Sequence, residues 1–228
     1  MKVIVTGATG MVGKGVLLEC LEHSDVTQIL SLGRNPLGMA HPKLKEVVHG
    51  DLFHLAAVER ELSGYDACFF CLGASSVGMK ERDYFQVTHE LTVLVARALL
   101  RLNPGLVFIY VSGAGTDSTE KGSSMWARVK GQTENDLLKM GFKAAFMFRP
   151  GYIHPLKGVR PRTALYRALM PLLTPLYPVF KVLFPSQLTT TEKVGLAMIH
   201  VVQRGYPKHV LGPHDINALA EEAPSITA

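Results

Sequence analysis

The chain opens with Val3-Ile4-Val5-Thr6-Gly7-Ala8-Thr9-Gly10-Met11-Val12-Gly13, an apolar run that passes into three glycines spaced three residues apart. A short apolar run of this kind predicts a strand that is buried on both faces of a parallel sheet. The glycines would allow a tight turn, a close approach of the backbone to a pyrophosphate, and close packing of a helix on the sheet. A helix that starts near Met11 would direct its free N–H groups at the phosphates. We therefore predict a phosphate-binding turn.

The spacing of the glycines distinguishes this turn from the common fingerprint Gly-x-Gly-x-x-Gly. With Thr6 in front and Ala8-Thr9 inside, the turn resembles that of the short-chain dehydrogenase/reductase superfamily, particularly its atypical and extended branches. Over residues 1–155 the chain looks most like the NAD(P)-binding atypical reductases, among them the Tat-interacting-protein-like and the NAD-dependent epimerase/dehydratase-like groups. An ordinary glycine-rich turn between a strand and a helix stays open as the alternative.

Apolar strand-like runs recur along the chain, and helix-length segments separate most of them. The predicted strands are Val3–Thr6, Gln28–Leu32, Glu46–His49, Ala67–Cys71, Val107–Ser112 and Ala145–Phe148. The predicted helices are Gly13–His23, Leu55–Leu62, Arg82–Leu102 and Trp126–Met140. This alternation predicts an α/β fold with a doubly wound, mostly parallel Rossmann-type sheet. The binding crevice of such a sheet lies beyond the carboxyl ends of its strands.

Beyond residue 150 the pattern changes to helical segments interrupted by prolines. We predict a single domain over residues 1–228, with a small C-terminal helical substrate lobe at roughly 152–190. Its apolar stretch, residues 164–184, contains prolines that would break a membrane-spanning helix. We interpret it as a broken helical lid over a pocket; the alternatives are a surface that lies at a membrane interface and a surface for a protein partner or a second copy of the chain. The predicted elements after it are a helix at Thr191–Arg204, a strand at Val210-Leu211, and a closing helix with Asp215 as its N-cap.

The composition is that of a folded and mildly basic protein. Of the 228 residues, 47% are hydrophobic and 19% are charged, which excludes a disordered chain. The net charge of +5 comes from scattered lysines and arginines, which argues against a nucleic-acid partner. Three cysteines, and an N-terminus that enters a strand at once, predict a cytoplasmic protein without a transmembrane segment. Cys68 and Cys71 would point to opposite faces of a strand, so we predict no metal site.

The second strand ends in Leu32-Gly33-Arg34-Asn35, at the place where the superfamily binds the adenosine ribose. A carboxylate there would bind both ribose hydroxyls and favour NAD, whereas a cation suits the 2′-phosphate of NADP. Arg34 therefore predicts NADP(H) in preference to NAD(H). Lys14, just past the third glycine, would add a second positive charge, or it is a solvated helix lysine.

The resemblance implies further cofactor contacts at the ends of the other strands. Asp51 would accept from the adenine amino group with Leu52 beside the ring, although Asp51 would also serve as a helix N-cap. Small residues after the fourth strand would lie under the ribose and pyrophosphate, and an Arg-Pro-Gly segment at 149–151 would reach the nicotinamide. The implied cofactor set is Thr6, Gly7, Thr9, Gly10, Met11, Val12, Gly13, Gly33, Arg34, Asn35, Asp51, Leu52, Cys71, Leu72, Gly73, Ala74, Lys130, Pro150, Gly151 and Ile153.

The superfamily places its active site at a serine after the fifth strand and at a Tyr-x-x-x-Lys pair on the next helix. The resemblance assigns Ser112 and Lys130 to these positions, but Trp126 stands where the tyrosine is expected. An indole has no titratable hydroxyl, so it cannot relay a proton. Tyr152, at the edge of the expected pocket, would supply the missing hydroxyl, or it is a pocket wall. The predicted catalytic set is therefore Ser112, Lys130 and Tyr152.

Three functions fit these residues. The first is an NADP(H)-dependent reductase or dehydrogenase that acts on a small carbonyl or alcohol substrate. The second is a non-catalytic protein that senses NADP(H) and signals to a partner, because the cofactor residues are intact while the catalytic pair is broken. The third is an enzyme of the nucleotide-sugar epimerase or dehydratase type, for which the segment after residue 150 is short.

Overall fold

A parallel sheet forms the centre of the structure, a computed structural model that describes residues 1–159 and 187–221. The strands in chain order are β1 (Lys2–Thr6), β2 (Gln28–Gly33), β3 (Leu44–Val48), β4 (Ala67–Phe70), β5 (Val107–Val111), β6 (Ala144–Phe148), β7 (Tyr152–His154), β8 (Leu188–Thr190) and β9 (Val210–Leu211). The central sheet has the order β3-β2-β1-β4-β5-β6-β9, and every pairing in it is parallel. The predicted doubly wound sheet is confirmed. Its winding reverses between β1 and β4, where a binding crevice is expected.

Helices cover both faces of this sheet. The helical segments are α1 (Met11–Glu22), a 3₁₀ helix (Leu55–Leu62), α2 (Glu81–Phe85), a π-helical turn (Gln86–Glu90), α3 (Leu91–Leu102), α4 (Met125–Lys139), α5 (Thr191–Arg204) and α6 (Pro213–Glu221). Helices α1, α5 and α6 pack on the face that carries Val3 and Val5, whereas α3, α4 and the 3₁₀ helix pack on the face that carries Ile4. Successive strand side chains point to opposite faces, so β1 contributes to both cores.

The predicted helix at Arg82–Leu102 is divided into three parts. The π-helical turn separates α2 from α3, and the N–H of Leu91 bonds to the carbonyl of Gln86 five residues earlier. Hydrophobic periodicity averages over such a local insertion, which is why the sequence pattern did not reveal it. The segment Leu55–Leu62 is helical as predicted, but it is a 3₁₀ helix rather than an α-helix.

The closing helix α6 begins at Pro213, so the prediction of Asp215 as its N-cap is wrong. Asp215 lies in the first turn, and its carboxylate accepts a hydrogen bond of 3.1 Å from the N–H of Gly212, the residue before the helix. This contact is the carboxylate half of a capping box. Proline is favoured at the first helical position because its φ suits the helix and its missing N–H would be unpaired there anyway.

The C-terminal part of the chain returns to the main body through a small second sheet. In it, β7 pairs in parallel with β8, and Ile153 stands opposite Thr189. These strands begin and end near the limits of the predicted lobe at 152–190, but most of that lobe, including the apolar stretch 164–184, lies outside the described residues. Among the helices that the structure describes, none combines the length and apolarity needed to cross a membrane.

Two glycines bring α1 and α5 into close contact. A Cβ built on Gly15 of α1 would lie 2.4 Å from the Cβ of Thr191, and one built on Gly195 of α5 would lie 2.7 Å from the Cγ of Glu19. Carbon atoms that are not bonded normally approach no closer than about 3.5 Å. Neither position therefore admits a side chain unless the helices move apart. Thr190 fixes the start of α5, because its hydroxyl accepts a 3.1 Å hydrogen bond from the N–H of Lys193.

We expect Gly15→Val to lower the free energy of unfolding by more than about 2 kcal/mol, because overpacking a tight contact costs about 1–3 kcal/mol or more. The measurement is urea unfolding, read as a fall in the midpoint at constant m-value. Gly105→Val is the matched control, since Gly105 is exposed and no atom lies within 4 Å of the place that its Cβ would take. Equal midpoints for the two variants would show that α1 and α5 do not depend on this contact.

Candidate cofactor and catalytic site

The glycine-rich turn lies at the carboxyl end of β1, against the end of β4. Gly7 has a positive φ of 68°, and a Cβ on it would lie 2.5 Å from the carbonyl oxygen of Cys71. A Cβ on Gly13 would lie 2.3 Å from the carbonyl oxygen of Gly7, to which the N–H of Gly10 donates a 2.8 Å hydrogen bond. The first and third glycines thus allow backbone to meet backbone. The turn has the compact form predicted for a phosphate-binding loop.

No acidic side chain among residues 1–159 and 187–221 caps the N-terminus of α1. Gly10 is its N-cap, no side chain caps it, and its first turn contains no acidic residue. The ammonium of Lys14 is 2.8 Å from the thioether sulfur of Met39, which is a weak acceptor without charge. The helix dipole and Lys14 together create a positive site at this end of the helix. These groups fit the pyrophosphate of a nicotinamide dinucleotide.

Thr6 and Gly73 border the same turn. The hydroxyl of Thr6 is buried at the end of β1 and has no hydrogen-bond partner within the described ranges. Gly73, three residues after β4, has no atom within 4 Å of where its Cβ would stand. Among the described residues, the backbone of Gly73 is therefore open on the side where a Cβ would stand. Thr9, Met11 and Val12 complete the turn and the start of α1.

Arg34 follows directly on β2 and is exposed to solvent. It makes no hydrogen bond or ion pair with any residue in the part of the chain that the structure describes. The preceding Gly33 is tied into the sheet, since its carbonyl accepts a 2.8 Å hydrogen bond from the N–H of His49. Arg34 and the neighbouring Asn35 are thus polar side chains beyond the carboxyl end of β2, available to an anionic ligand.

Asp51 and Leu52 occupy different environments after β3. The carboxylate of Asp51 accepts a 2.9 Å hydrogen bond from the N–H of Phe53 and lies 2.7 Å from Nδ1 of His54. These contacts, that with His54 first, hold the pKa of Asp51 below its usual value. Asp51 is exposed, whereas the side chain of Leu52 is buried in the core beneath the sheet. The adenine-binding roles of both residues stay predictions.

Ser112 follows β5, and both its side chain and its main-chain carbonyl form hydrogen bonds with α4. Its hydroxyl donates to a carboxylate oxygen of Glu134, and its main-chain carbonyl accepts from the ammonium of Lys130. Lys130 and Glu134 are four residues apart on α4 and therefore lie on the same side of that helix. The predicted pair Ser112 and Lys130 is brought together. The serine proton is engaged by Glu134, however, so its predicted action on a substrate carbonyl would require this hydrogen bond to open.

Burial lowers the pKa of the Lys130 ammonium from 10.5 to about 8, and the negative charge of Glu134 acts in the opposite direction. A lysine with such a pKa is mostly protonated at pH 7 but gives up its proton readily. The ammonium has three N–H donors, of which one is used by Ser112. The position next to the expected tyrosine is thus occupied by a group with its own capacity for proton transfer.

Trp126 covers the start of the loop after β5. Its indole ring lies 3.4 Å from the position that a Cβ on Gly115 would take. The same loop lies against α4 at Gly131, where a Cβ would come within 1.8 Å of the carbonyl oxygen of Asp117. The glycine that follows Lys130 is therefore required by this contact between loop and helix. Trp126 contributes an apolar surface in place of a phenol.

The segment after β6 connects several parts of the site. The carbonyl of Pro150 accepts a 2.9 Å hydrogen bond from the N–H of Ala114 in the loop after β5. A Cβ on Gly151 would lie 2.4 Å from the carbonyl oxygen of Gln187, which precedes β8. Tyr152 and Ile153 belong to β7 and are partly buried. The predicted catalytic role of Tyr152 and the cofactor role of Ile153 stay predictions.

Sequence reasoning overlooked Glu134 and the part played by Arg149. Glu134 is completely buried, and Arg149 donates to both of its carboxylate oxygens, with Nε at 3.0 and 3.1 Å. A signal for Glu134 existed, since an acid four residues after Lys130 lies on the same helical face. Its pairing with Arg149 joins α4 to the end of β6, and no local pattern encodes that contact.

Comparison with known protein families and with curated proteins shows which family this chain resembles. Residues 3–124, just over half of the chain, match the model of the NAD dependent epimerase/dehydratase family. The chain is 31% identical over 157 residues to protein fmp52-1, mitochondrial, from Aspergillus terreus. This alignment covers 66% of each chain, so it spans slightly less than two thirds of the relative.

Solved structures show the same fold at low sequence identity. The complex of MoeE5 with UDP-glucuronic acid and NAD aligns with a TM-score of 0.66 and 16% identity, covering 93% of this chain and 76% of that protein. A short chain dehydrogenase/reductase from Saccharomyces cerevisiae, YIR035C, aligns with a TM-score of 0.66 and 16% identity, covering 98% of this chain and 100% of that one. The predicted resemblance to this superfamily is confirmed.

The prediction of a cytoplasmic protein is wrong. The relatives from Aspergillus terreus, Aspergillus fumigatus and Eremothecium gossypii are all named as mitochondrial proteins. The prediction depended on cysteine usage and on the first residues of the chain, neither of which identifies a compartment by itself. The fold, the glycine-rich turn and the match to the family model agree with one another, and this chain belongs to the NAD dependent epimerase/dehydratase family.

Proposed function

We propose that this protein is an NADP(H)-dependent oxidoreductase of a small carbonyl or alcohol substrate, in which Lys130 acts as the proton donor. The contact between Lys130 and Ser112 carries the proposal, since it holds an ammonium with a pKa of about 8 at the position where the superfamily has its catalytic pair. The family match supports a nicotinamide cofactor, and the names of the relatives support a mitochondrial location.

The residues that would hold the cofactor are those of the glycine-rich turn, the N-terminus of α1, and Arg34. Backbone N–H groups of α1 would bind the pyrophosphate, with Lys14 adding positive charge. The exposed guanidinium of Arg34 would pair with a 2′-phosphate through charge-assisted hydrogen bonds. When bound, the cofactor would supply or accept a hydride.

The protein's own part in the reaction is to orient the substrate and to move one proton. In the direction of reduction, Lys130 would transfer a proton from Nζ to the carbonyl oxygen as that oxygen gains negative charge, and water would then return a proton to Nζ. Trp126 would cover one side of the pocket and exclude water from it. The phenol of Tyr152 is the alternative proton donor.

A non-catalytic role as an NADP(H) sensor is the second candidate. The hydrogen bond from the Ser112 hydroxyl to Glu134 favours it, because a serine engaged in this way does not polarise a substrate. A sensor must bind the reduced and oxidised cofactors with different affinities. Epimerase or dehydratase chemistry on a nucleotide sugar is a third candidate, supported by the family name, but those enzymes also use the tyrosine that Trp126 replaces here.

We expect Arg34→Ala to weaken NADPH binding by roughly 10- to 100-fold, the range expected for one lost charge-assisted hydrogen bond. NADH binding should not change, because NADH has no 2′-phosphate. Quenching of Trp126 fluorescence measures both affinities, as this is the one tryptophan of the chain. Arg60→Ala is the matched control, since it removes another exposed arginine from the end of the 3₁₀ helix. Equal losses for the two cofactors would contradict the NADP preference.

Reduction of a small aldehyde or ketone should be constant below pH 8 and fall about tenfold per unit above it. The reason is that the acid form of Lys130 is lost above its pKa of about 8, and Glu134 is the charged group that acts on it within the described residues. Lys130→Met should lower kcat by about 10²- to 10⁴-fold and abolish this dependence. Tyr152→Phe is the matched variant for the alternative donor. If Tyr152→Phe removes activity while Lys130→Met does not, the assignment of the proton donor to Lys130 is wrong. If the unmodified protein reduces no carbonyl compound, the role as a sensor is favoured.

A further inference from the structure

Glu134 and Arg149 form a buried ion pair directly behind Ser112. The Glu134 side chain is 1% exposed and that of Arg149 is 19% exposed. Nε of Arg149 lies within 3.1 Å of both carboxylate oxygens, and its Nη2 donates to one of them. Two charges removed from water in this way remain ionised only when each is well paired. Arg149 thus places a positive charge against the buried carboxylate of Glu134 and fixes its orientation.

The carboxylate of Glu134 has a second partner, the hydroxyl of Ser112. A hydrogen bond to an ionised acceptor is roughly twice as strong as one between neutral groups. It draws the Ser112 side chain towards α4, while the main-chain carbonyl of the same residue receives the ammonium of Lys130 from the same helix. Ser112 is therefore hydrogen-bonded to both Glu134 and Lys130, which lie one helical turn apart on α4.

We propose that Glu134 is a positioning residue, which holds Ser112 in the one orientation where its carbonyl oxygen presents the Lys130 ammonium to the substrate. Arg149 fixes the carboxylate, the carboxylate fixes the serine, and the serine carbonyl fixes the lysine. Glu134 itself does not touch the substrate. The inference rests on the proposed role of Lys130 as the proton donor.

A merely structural ion pair is the competing explanation, and the chain contains a matched example of one. Glu81 of α2 pairs with Arg128 of α4 through hydrogen bonds of 2.9 and 2.8 Å. That pair joins two helices near the site, but it is partly exposed, and neither of its residues is bonded to Ser112 or Lys130. Glu81→Gln therefore removes the same charge from a pair that also involves α4, through Arg128, without disturbing the serine.

The test compares Glu134→Gln with Glu81→Gln in three measurements. These are kcat and KM for carbonyl reduction, the pKa of Lys130 from competitive acetylation read by peptide mass spectrometry, and urea unfolding. We expect Glu134→Gln to lower kcat by about 10²-fold with the NADPH affinity retained, since misplacement of a reacting group by about 1 Å has an effect of that size. The pKa of Lys130 should fall, because the charge that favours its protonated form is gone. Glu81→Gln should change neither quantity.

A double-mutant cycle with Ser112→Ala tests whether the effect passes through the serine. Ser112→Ala retains the charge of Glu134 but removes the hydrogen bond. At a pH low enough for Lys130 to be protonated in every variant, it should therefore lower kcat about as much as Glu134→Gln does. The two changes together should cost no more than either alone, because they break the same connection. Losses that multiply in the double variant would overturn the inference.

Glu134→Gln could lower kcat simply because it unfolds the protein, and a second variant tests this. The variant combines Glu134→Leu with Arg149→Met and thus replaces the ion pair by apolar side chains of similar volume. Such replacements are often neutral for stability. If this folded variant recovers kcat, Glu134 is structural and the inference is wrong, whereas continued loss of kcat supports positioning. Failure of the proposed function is seen separately, as full activity in Lys130→Met. The acetylation measurement reports on the effect of Glu134 on Lys130 and requires no turnover.

Discussion

The close contact between Gly7 and the end of β4 positions the glycine-rich turn and the start of α1. Backbone meets backbone there, with 2.5 Å between the missing Cβ of Gly7 and the carbonyl oxygen of Cys71. Because β1 lies between β2 and β4, this contact brings the start of α1 over the point where the winding of the sheet reverses. The positive end of α1 and the ends of β2 and β4 then face one crevice. A side chain at Gly7 or Gly13 would remove the space on which that arrangement depends.

A second group of contacts builds the chemical half of the site from α4. Gly131 lets the loop after β5 lie on the helix, and Glu134 joins the helix to Arg149 at the end of β6. Lys130 stands between these two anchors, so its position follows from packing on both sides. The consequence is a lysine that is partly buried, paired with a carbonyl, and lowered in pKa to about 8. The glycine-rich turn after β1 and the Ser112–Lys130 pair after β5 lie at the same edge of the sheet, because only β4 stands between β1 and β5.

The sequence predicted the sheet and most of its helices because these features follow from local periodicity. Val3-Ile4-Val5 indicates a buried parallel strand by composition alone, and the glycine spacing indicates the turn. Local deviations were missed, as at the π-helical turn, where the i→i−5 hydrogen bond from Leu91 to Gln86 leaves hydrophobic periodicity almost unchanged. At the site, Ser112 and Lys130 were singled out because a known motif names their positions, and the structure brings the two into contact. Glu134 and Arg149 were not understood, because their pairing is a tertiary contact between α4 and β6 that no spacing in the chain records.

The replacement of the expected tyrosine by Trp126 changes the role that can be given to Lys130. Where a tyrosine is present, a nearby lysine serves to lower the pKa of the phenol, and its own proton need not move. Here there is no phenol at that position, yet the lysine is still partly buried and still has the Glu134–Ser112 connection behind it. Burying an ammonium destabilises the fold unless the charge is compensated, and Glu134 compensates it without neutralising its capacity to give up a proton. Under the proposed function, an acid placed in this way would need only a substrate oxygen within reach, so the absence of the tyrosine would not by itself prevent proton transfer at this site.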